Sequence, residues 1–124
     1  MYHGKKILIV DDSPTERHLL KEMVNQLGFT IFQATNGEEG IKMAHECQPN
    51  LILMDVVMPG LNGFQATREI SKNDQLKNIP VIICTTKNAE TDRLLGRRQG
   101  AAAYLVKPIK KDDLLTTIHN CLKL

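Results

Sequence analysis

No apolar run in this chain approaches the roughly 20 residues needed to cross a bilayer. The opening residues, Met1-Tyr2-His3-Gly4-Lys5-Lys6, lack the long apolar region and cleavage site of a signal peptide. A cytoplasmic chain with no membrane partner is the expectation. Charge of one sign is scarce too: the formal net charge is +2, too small to point to nucleic acid as the main partner. Cysteine is sparse. Cys47, Cys84 and Cys121 are odd in number and far apart, which fits neither a disulfide framework nor a zinc site, so free thiols, buried or half-buried, are expected. His3, His18, His45 and His119 show no metal-ligand spacing and read as surface or helix residues. Tryptophan is absent, so any event in this protein has to be followed by mass or NMR rather than indole fluorescence. Linkers, repeats and low-complexity stretches are missing. Residues 1–124 read as one stand-alone domain, with monomer as the default state. A chain of this length can bury a core without staples, and 42% apolar with 24% charged residues is an ordinary soluble composition.

What is present is an alternation of strand-like and helix-like segments, repeated five times, which argues for α/β with a parallel sheet. Strands are expected at about Lys6–Val10, Thr30–Ala34, Leu51–Met54, Val81–Cys84 and Ala103–Val106. The second is the least uniformly apolar and reads as an edge strand. The first helix starts at Ser13, with Pro14 in its first turn and Glu16 completing a capping box. Its inward stripe is Leu19, Leu20, Met23, Val24 and Leu27, and Gly28 stops it. The second runs from Asn36 to near Cys47. Met58-Pro59-Gly60 forces a loop, because proline disfavours helix in the residue before it. Asn62 then caps a helix from Gly63 to about Lys72. A fourth helix, about Ala89–Gln99, is weak. Its stripe is little more than Leu94 and Leu95, and Gly96 costs about 1 kcal/mol relative to Ala. The fifth spans Lys111–Leu122, with Leu114, Leu115, Ile118, Cys121 and Leu122 facing inward.

Four of the strands end in polar residues that suit phosphoryl chemistry. Ile7–Val10 runs into Asp11-Asp12, Leu51–Met54 into Asp55, Val81–Cys84 into Thr85, and Tyr104–Val106 into Lys107-Pro108. In an open parallel sheet these ends share one edge, and ligand sites lie in the crevice outside it. Asp11 and Asp12 reach one site only if the strand has ended, since neighbours in a strand face opposite ways. Together with Asp55 they form an oxygen-rich pocket suited to Mg²⁺. Without a cation the three repel, and at least one pKa rises. Mg²⁺ and Lys107 would balance them. Asp55 is the candidate nucleophile, since a carboxylate can take a phosphoryl group as an acyl phosphate. Lys107 can reach a phosphoryl oxygen, and its bond to Pro108 is a place where a cis peptide is plausible. Thr85 offers a hydroxyl donor. Tyr104 is an aromatic with a polar tip that can turn between buried and solvent-facing states. Arg93, Arg97 and Arg98 give the fourth helix a basic face.

The ordered set Asp11-Asp12, Asp55, Met58-Pro59-Gly60, Asn62-Gly63, Thr85, Gly100-Ala101, Tyr104 and Lys107-Pro108 resembles the receiver domain of bacterial two-component response regulators. The resemblance implies a flavodoxin-like, doubly wound five-stranded parallel sheet of order 2-1-3-4-5 with five helices. It implies that Asp55 is the phosphoacceptor, with a histidine kinase as donor. Mg²⁺ would be held by Asp12 directly, by Asp11 mainly through water, and also by Asp55 and the backbone carbonyl of Val57. Thr85 and Lys107 would bind the phosphoryl group. Thr85 and Tyr104 would form a switch that reshapes the surface of the fourth helix, fifth strand and fifth helix for an output protein. Such a chain catalyses only its own phosphorylation and dephosphorylation. The segment Val56–Arg68, with Thr85-Thr86-Lys87 and Gly96–Ala101, further resembles stand-alone regulators of the pilus-driven twitching system. That implies an output tied to the pilus motor.

Other readings are weaker. A regulator of another pathway or a phosphate sink would share the same residues. An aspartyl-phosphate phosphohydrolase usually carries a second Asp two residues past the nucleophile, where this chain has Val57. A flavin carrier would need a phosphate-cradling loop after the first strand, where Asp11-Asp12 would repel phosphate. The complete acidic set argues against a scaffold that has lost its chemistry, the remaining alternative.

Overall fold

The computed structural model describes residues 1–123. Its elements alternate as expected: β1 (Lys6–Val10), α1 (Pro14–Val24), β2 (Thr30–Ala34), α2 (Gly37–Cys47), β3 (Leu51–Met54), α3 (Gly63–Lys72), β4 (Val81–Thr85), α4 (Glu90–Arg98), β5 (Ala103–Val106) and α5 (Lys111–Leu122). All five strands pair in parallel in the order β2-β1-β3-β4-β5. The polar-flecked β2 is at an edge. The order reverses between β1 and β3, so the crevice opens between their carboxyl ends.

Register then aligns the strand ends. Val10 stands opposite Met54, Met54 opposite Ile83, and Thr85 opposite Val106. Asp11 and Asp55 are therefore the next residues on adjacent strands, and Lys107 follows one position beyond Thr85's partner. Both faces of the sheet are covered. Ile7, Ile9, Leu53, Ile82 and Cys84 join Leu20, Val24, Leu114 and Ile118 on one side. Leu8, Val10, Ile52 and Met54 join Ala44, Ala66 and Ile70 on the other. Two-sided burial explains why β1 and β3 read as continuous apolar runs rather than alternations.

Helix starts follow the caps. Asn62 and Gln65 exchange a full capping box at the start of α3, and the Asn36 side chain caps α2. At α1 the box is only half made. Ser13 Oγ accepts from the Glu16 amide at 3.2 Å, but the Glu16 carboxylate turns to Lys107 Nζ, 3.4 Å away. A long-range cation outweighs a local cap here. α1 ends at Val24 and tightens into a 3-10 turn over Asn25–Leu27. Gly28, at φ 91°, reverses the chain.

Two stripe expectations need correction. Leu19 is 47% exposed, because the inward face of α1 centres on Leu20 and Val24. Leu19 instead lines an open groove with Met23, Pro108 and Ile109. In α4, Leu94 and Leu95 are both exposed. The buried position is Gly96, where the helix lies too close to β4 and β5 for a side chain. The helix is also one residue shorter at each end than expected. At the amino-terminal end of the sheet, Tyr2 stacks on Phe29 with ring centroids 4.7 Å apart, and its hydroxyl hydrogen-bonds His119 Nδ1.

Candidate functional site

Four of the expected site residues meet at the β1/β3 crevice. Asp11 is buried, Asp55 is 7% exposed, and Asp12 is open to solvent. One carboxylate oxygen from each lies within 4.8 Å of the others. Lys107 Nζ reaches in from the end of β5, 2.7 Å from Asp11 Oδ2 and 3.7 Å from Asp55 Oδ1. Its peptide bond to Pro108 is cis. The other Asp11 oxygen accepts from the Ser13 amide at 2.9 Å, and the Arg17 guanidinium donates to the Asp11 carbonyl at 2.8 Å. Asp11 is thus fixed from both sides, while Asp12 remains free to take a ligand.

The electrostatics follow from crowding. Burial, followed by the charge of Asp11, pushes the Asp55 carboxyl up from 3.8 to about 6, with Lys107 opposing. Burial pulls the Lys107 ammonium down. Its hydrogen bond to Asp11 and the charges of Asp55, Asp11 and Glu16 more than offset that and hold it above the usual lysine value. Cys84 is adjacent in sequence to Thr85 but chemically quiet: full burial pushes its thiol up to about 12. Among the described residues, no histidine joins a cluster able to hold a metal.

Thr85 is fully buried at the end of β4, and its hydroxyl accepts from the Lys87 amide at 3.4 Å. Tyr104 lies outside the carboxylate pocket. Its hydroxyl donates to the Lys87 carbonyl at 2.7 Å, so the two residues meet at Lys87 rather than at each other. Burial raises the phenol pKa, the charge of Asp92 adds to this, and Arg93 opposes it. Val57, two residues past Asp55, is 56% exposed.

Three contributors lay outside the expected set. Glu16 adds a fourth carboxylate to the pocket rim, and only its position one turn into the helix after Asp12 hints at it. Glu38 on α2 accepts from the Leu61 amide at 2.8 Å and anchors the loop that follows Asp55. Gly63 lets the start of α3 press on the backbone of Asp55. A Cβ there would stand 2.0 Å from the Asp55 carbonyl oxygen and 2.7 Å from Val56 Cα. Neither atom can turn away as a side chain would. Gly63→Ala is expected to destabilise the fold by about 2–3 kcal/mol, read as a lower urea midpoint. An unchanged midpoint would contradict this close approach.

Residues 7–119 match the family model described as "Response regulator receiver domain". The chain belongs to that family. The receiver is 52% identical over 114 residues to Protein PilH of Pseudomonas aeruginosa, covering 92% of this chain and 94% of the relative. Among solved structures it superimposes on the Vibrio cholerae chemotaxis protein CheY4 with a TM-score of 0.88 at 30% identity, covering 95% and 98% of the two chains. It also superimposes on the receiver domain of the Pseudomonas aeruginosa sensor histidine kinase PA1611 with a TM-score of 0.86 at 30% identity, covering 94% and 96%. That structure has a magnesium ion coordinated in its active-site cleft. The receiver fold and strand order expected from sequence are those observed. No helix among the described residues is long and apolar enough to cross a membrane.

Proposed function

We propose that this receiver is a stand-alone phosphorylation switch in which Asp55 takes a phosphoryl group from the phosphohistidine of a partner kinase. The single observation behind this is the meeting of Asp11, Asp12, Asp55 and Lys107 at one sheet edge, from three strand ends far apart in sequence. The donor set is all hard oxygen, which fits Mg²⁺. Asp12 and Asp55 would hold the ion directly. Asp11, already engaged by Ser13 and Lys107, would act through water, and the Val57 carbonyl would add a ligand. Bound there, the ion would neutralise charge on the transferring oxygens.

The residues' own parts follow from chemistry. An Asp55 carboxylate oxygen attacks phosphorus. The phosphorus–nitrogen bond breaks, its electron pair stays on the imidazole, and an acyl phosphate forms on Asp55. Lys107 moves from Asp11 towards the new phosphoryl oxygens, and the Thr85 hydroxyl turns to donate to one of them. That turn releases the Lys87 amide. Lys87 also holds Tyr104 through its carbonyl, so the change is passed to the surface of α4, β5 and α5. An output protein that prefers one arrangement shifts the population towards it. The similarity to PilH supports an output tied to pilus-driven twitching.

Acetyl phosphate tests the chemistry without a kinase. Incubation with Mg²⁺ is expected to add one phosphoryl mass to the intact protein, and chelation with EDTA is expected to reduce uptake by at least about 100-fold, the scale of a lost electrostatic contribution to such a transfer. Equal uptake with and without the metal would overturn the reading.

A further inference from the structure

We infer that Gly96 is a positioning residue: its missing side chain makes the seat for the Tyr104 ring, and through that ring it sets the β4–α4 loop at Lys87. The inference rests on the reading of Thr85 and Tyr104 as a switch, but names a part which that reading does not contain. A glycine inside a nine-residue helix is costly in helix propensity. Gly96 is nonetheless the one position of α4 that is buried. A Cβ built there would stand 2.8 Å from Tyr104 Cδ2, 3.1 Å from Cε2 and 3.1 Å from Ile83 Cδ1. The first contact is closer than real Cβ atoms come, and Cδ2 belongs to a rigid ring rather than to the end of a flexible chain, so the ring would have to move from its place.

What it would leave is a site with contacts on every side. The ring stacks near Phe64, with centroids 6.5 Å apart, and the Arg93 guanidinium lies 5.5 Å from its centroid. Its hydroxyl donates to the Lys87 carbonyl, while the Lys87 amide donates to Thr85 Oγ1. Gly96, Tyr104, Lys87 and Thr85 thus form one chain of contacts from helix to pocket. With alanine at 96, the flexible end of Ile83 can shift by a few tenths of an ångström, but the aromatic ring is displaced bodily. The Lys87 carbonyl then loses its donor.

The test compares Gly96→Ala, Tyr104→Ala and the double variant. In Gly96→Ala, NMR is expected to show loss of ring contacts to residue 96 and to Arg93, with a shifted Lys87 amide, and the melting temperature is expected to fall. In the Tyr104→Ala background the same substitution is expected to raise it by roughly 3–5 °C, the shift of one glycine-to-alanine change in a helix when no ring opposes it. Folding of the double variant where Gly96→Ala alone fails would also support the seat. Retained ring contacts, or the same melting shift in both backgrounds, would overturn it. Beryllofluoride with Mg²⁺ separates the two claims. If the ring moves yet the beryllofluoride-induced shifts at Thr85 and along α4 match wild type, the seat stands and the switch reading fails.

Discussion

Asp55→Asn is expected to accept no phosphoryl group from acetyl phosphate and Mg²⁺, and yet to be the harder protein to unfold in metal-free buffer. The first effect is chemical, because an amide oxygen does not form an acyl phosphate. The second is electrostatic. Burial and Asp11 hold the Asp55 carboxyl at about 6 instead of 3.8. As pH rises through 3.8 the unfolded chain gives up this proton first, so the native state binds more protons than the unfolded state and stability falls with pH. The loss is complete above about 6. At 1.36 kcal/mol per pH unit it amounts to on the order of 2–3 kcal/mol. Asparagine carries no charge at any pH and keeps the shape of the side chain. Urea unfolding at pH 4.5 and pH 8 checks the sign: the advantage of the variant grows towards pH 8. An advantage that grew towards acid, or phosphoryl uptake equal to wild type, would refute the assignment.

Lys107→Met is expected to act in the opposite direction and by more. The ammonium is the one cation within 4 Å of the Asp11, Glu16 and Asp55 carboxylate oxygens among the described residues. Asp11 and Asp55 have side chains no more than 9% exposed. Methionine keeps the apolar stem and removes the charge, leaving buried carboxylates without their counter-ion. Breaking a buried pair from one side costs about 3–5 kcal/mol, a large part of the roughly 5–15 kcal/mol that holds a domain together. Losing Lys107 also removes an influence that lowers the Asp55 pKa. The deficit should therefore deepen as pH rises from 5 to 8 and shrink when Mg²⁺ is added. Unfolding at both pH values, with and without the metal, measures it. A midpoint within about 0.5 kcal/mol of wild type, the size of an ordinary surface change, would mean that the ammonium is not the counter-ion of this pocket.

The sequence carried the strands almost to the residue because β1, β3 and β4 are buried on both faces, and such runs have few alternatives. It also carried the main cluster: a carboxylate placed just after a buried strand has one direction left to point. What could not be read were contacts that override local preference. Glu16 satisfies every rule for a capping box and still turns to Lys107, since that cation is near only once β5 is in place. Gly96 reads as a weak point of α4 and proves to be a close approach. Gly63 reads as an ordinary helix start, while the backbone it presses against is eight positions back at Asp55. Leu19 fits the apolar period of α1, yet period alone does not fix how wide the covered face is.

The two-sided burial of the central strands has a cost away from the native state. Ile7–Val10 and Val81–Cys84 are uncharged, free of proline and rich in β-branched residues, and Leu51–Met54 is likewise uncharged and wholly apolar, features shared with segments that stack into cross-β aggregates once exposed. Population of the open chain is thus a solubility hazard as well as a loss of signal. Partly unfolded variants of this receiver belong in dilute solution, where intermolecular zippering cannot pass for lost activity.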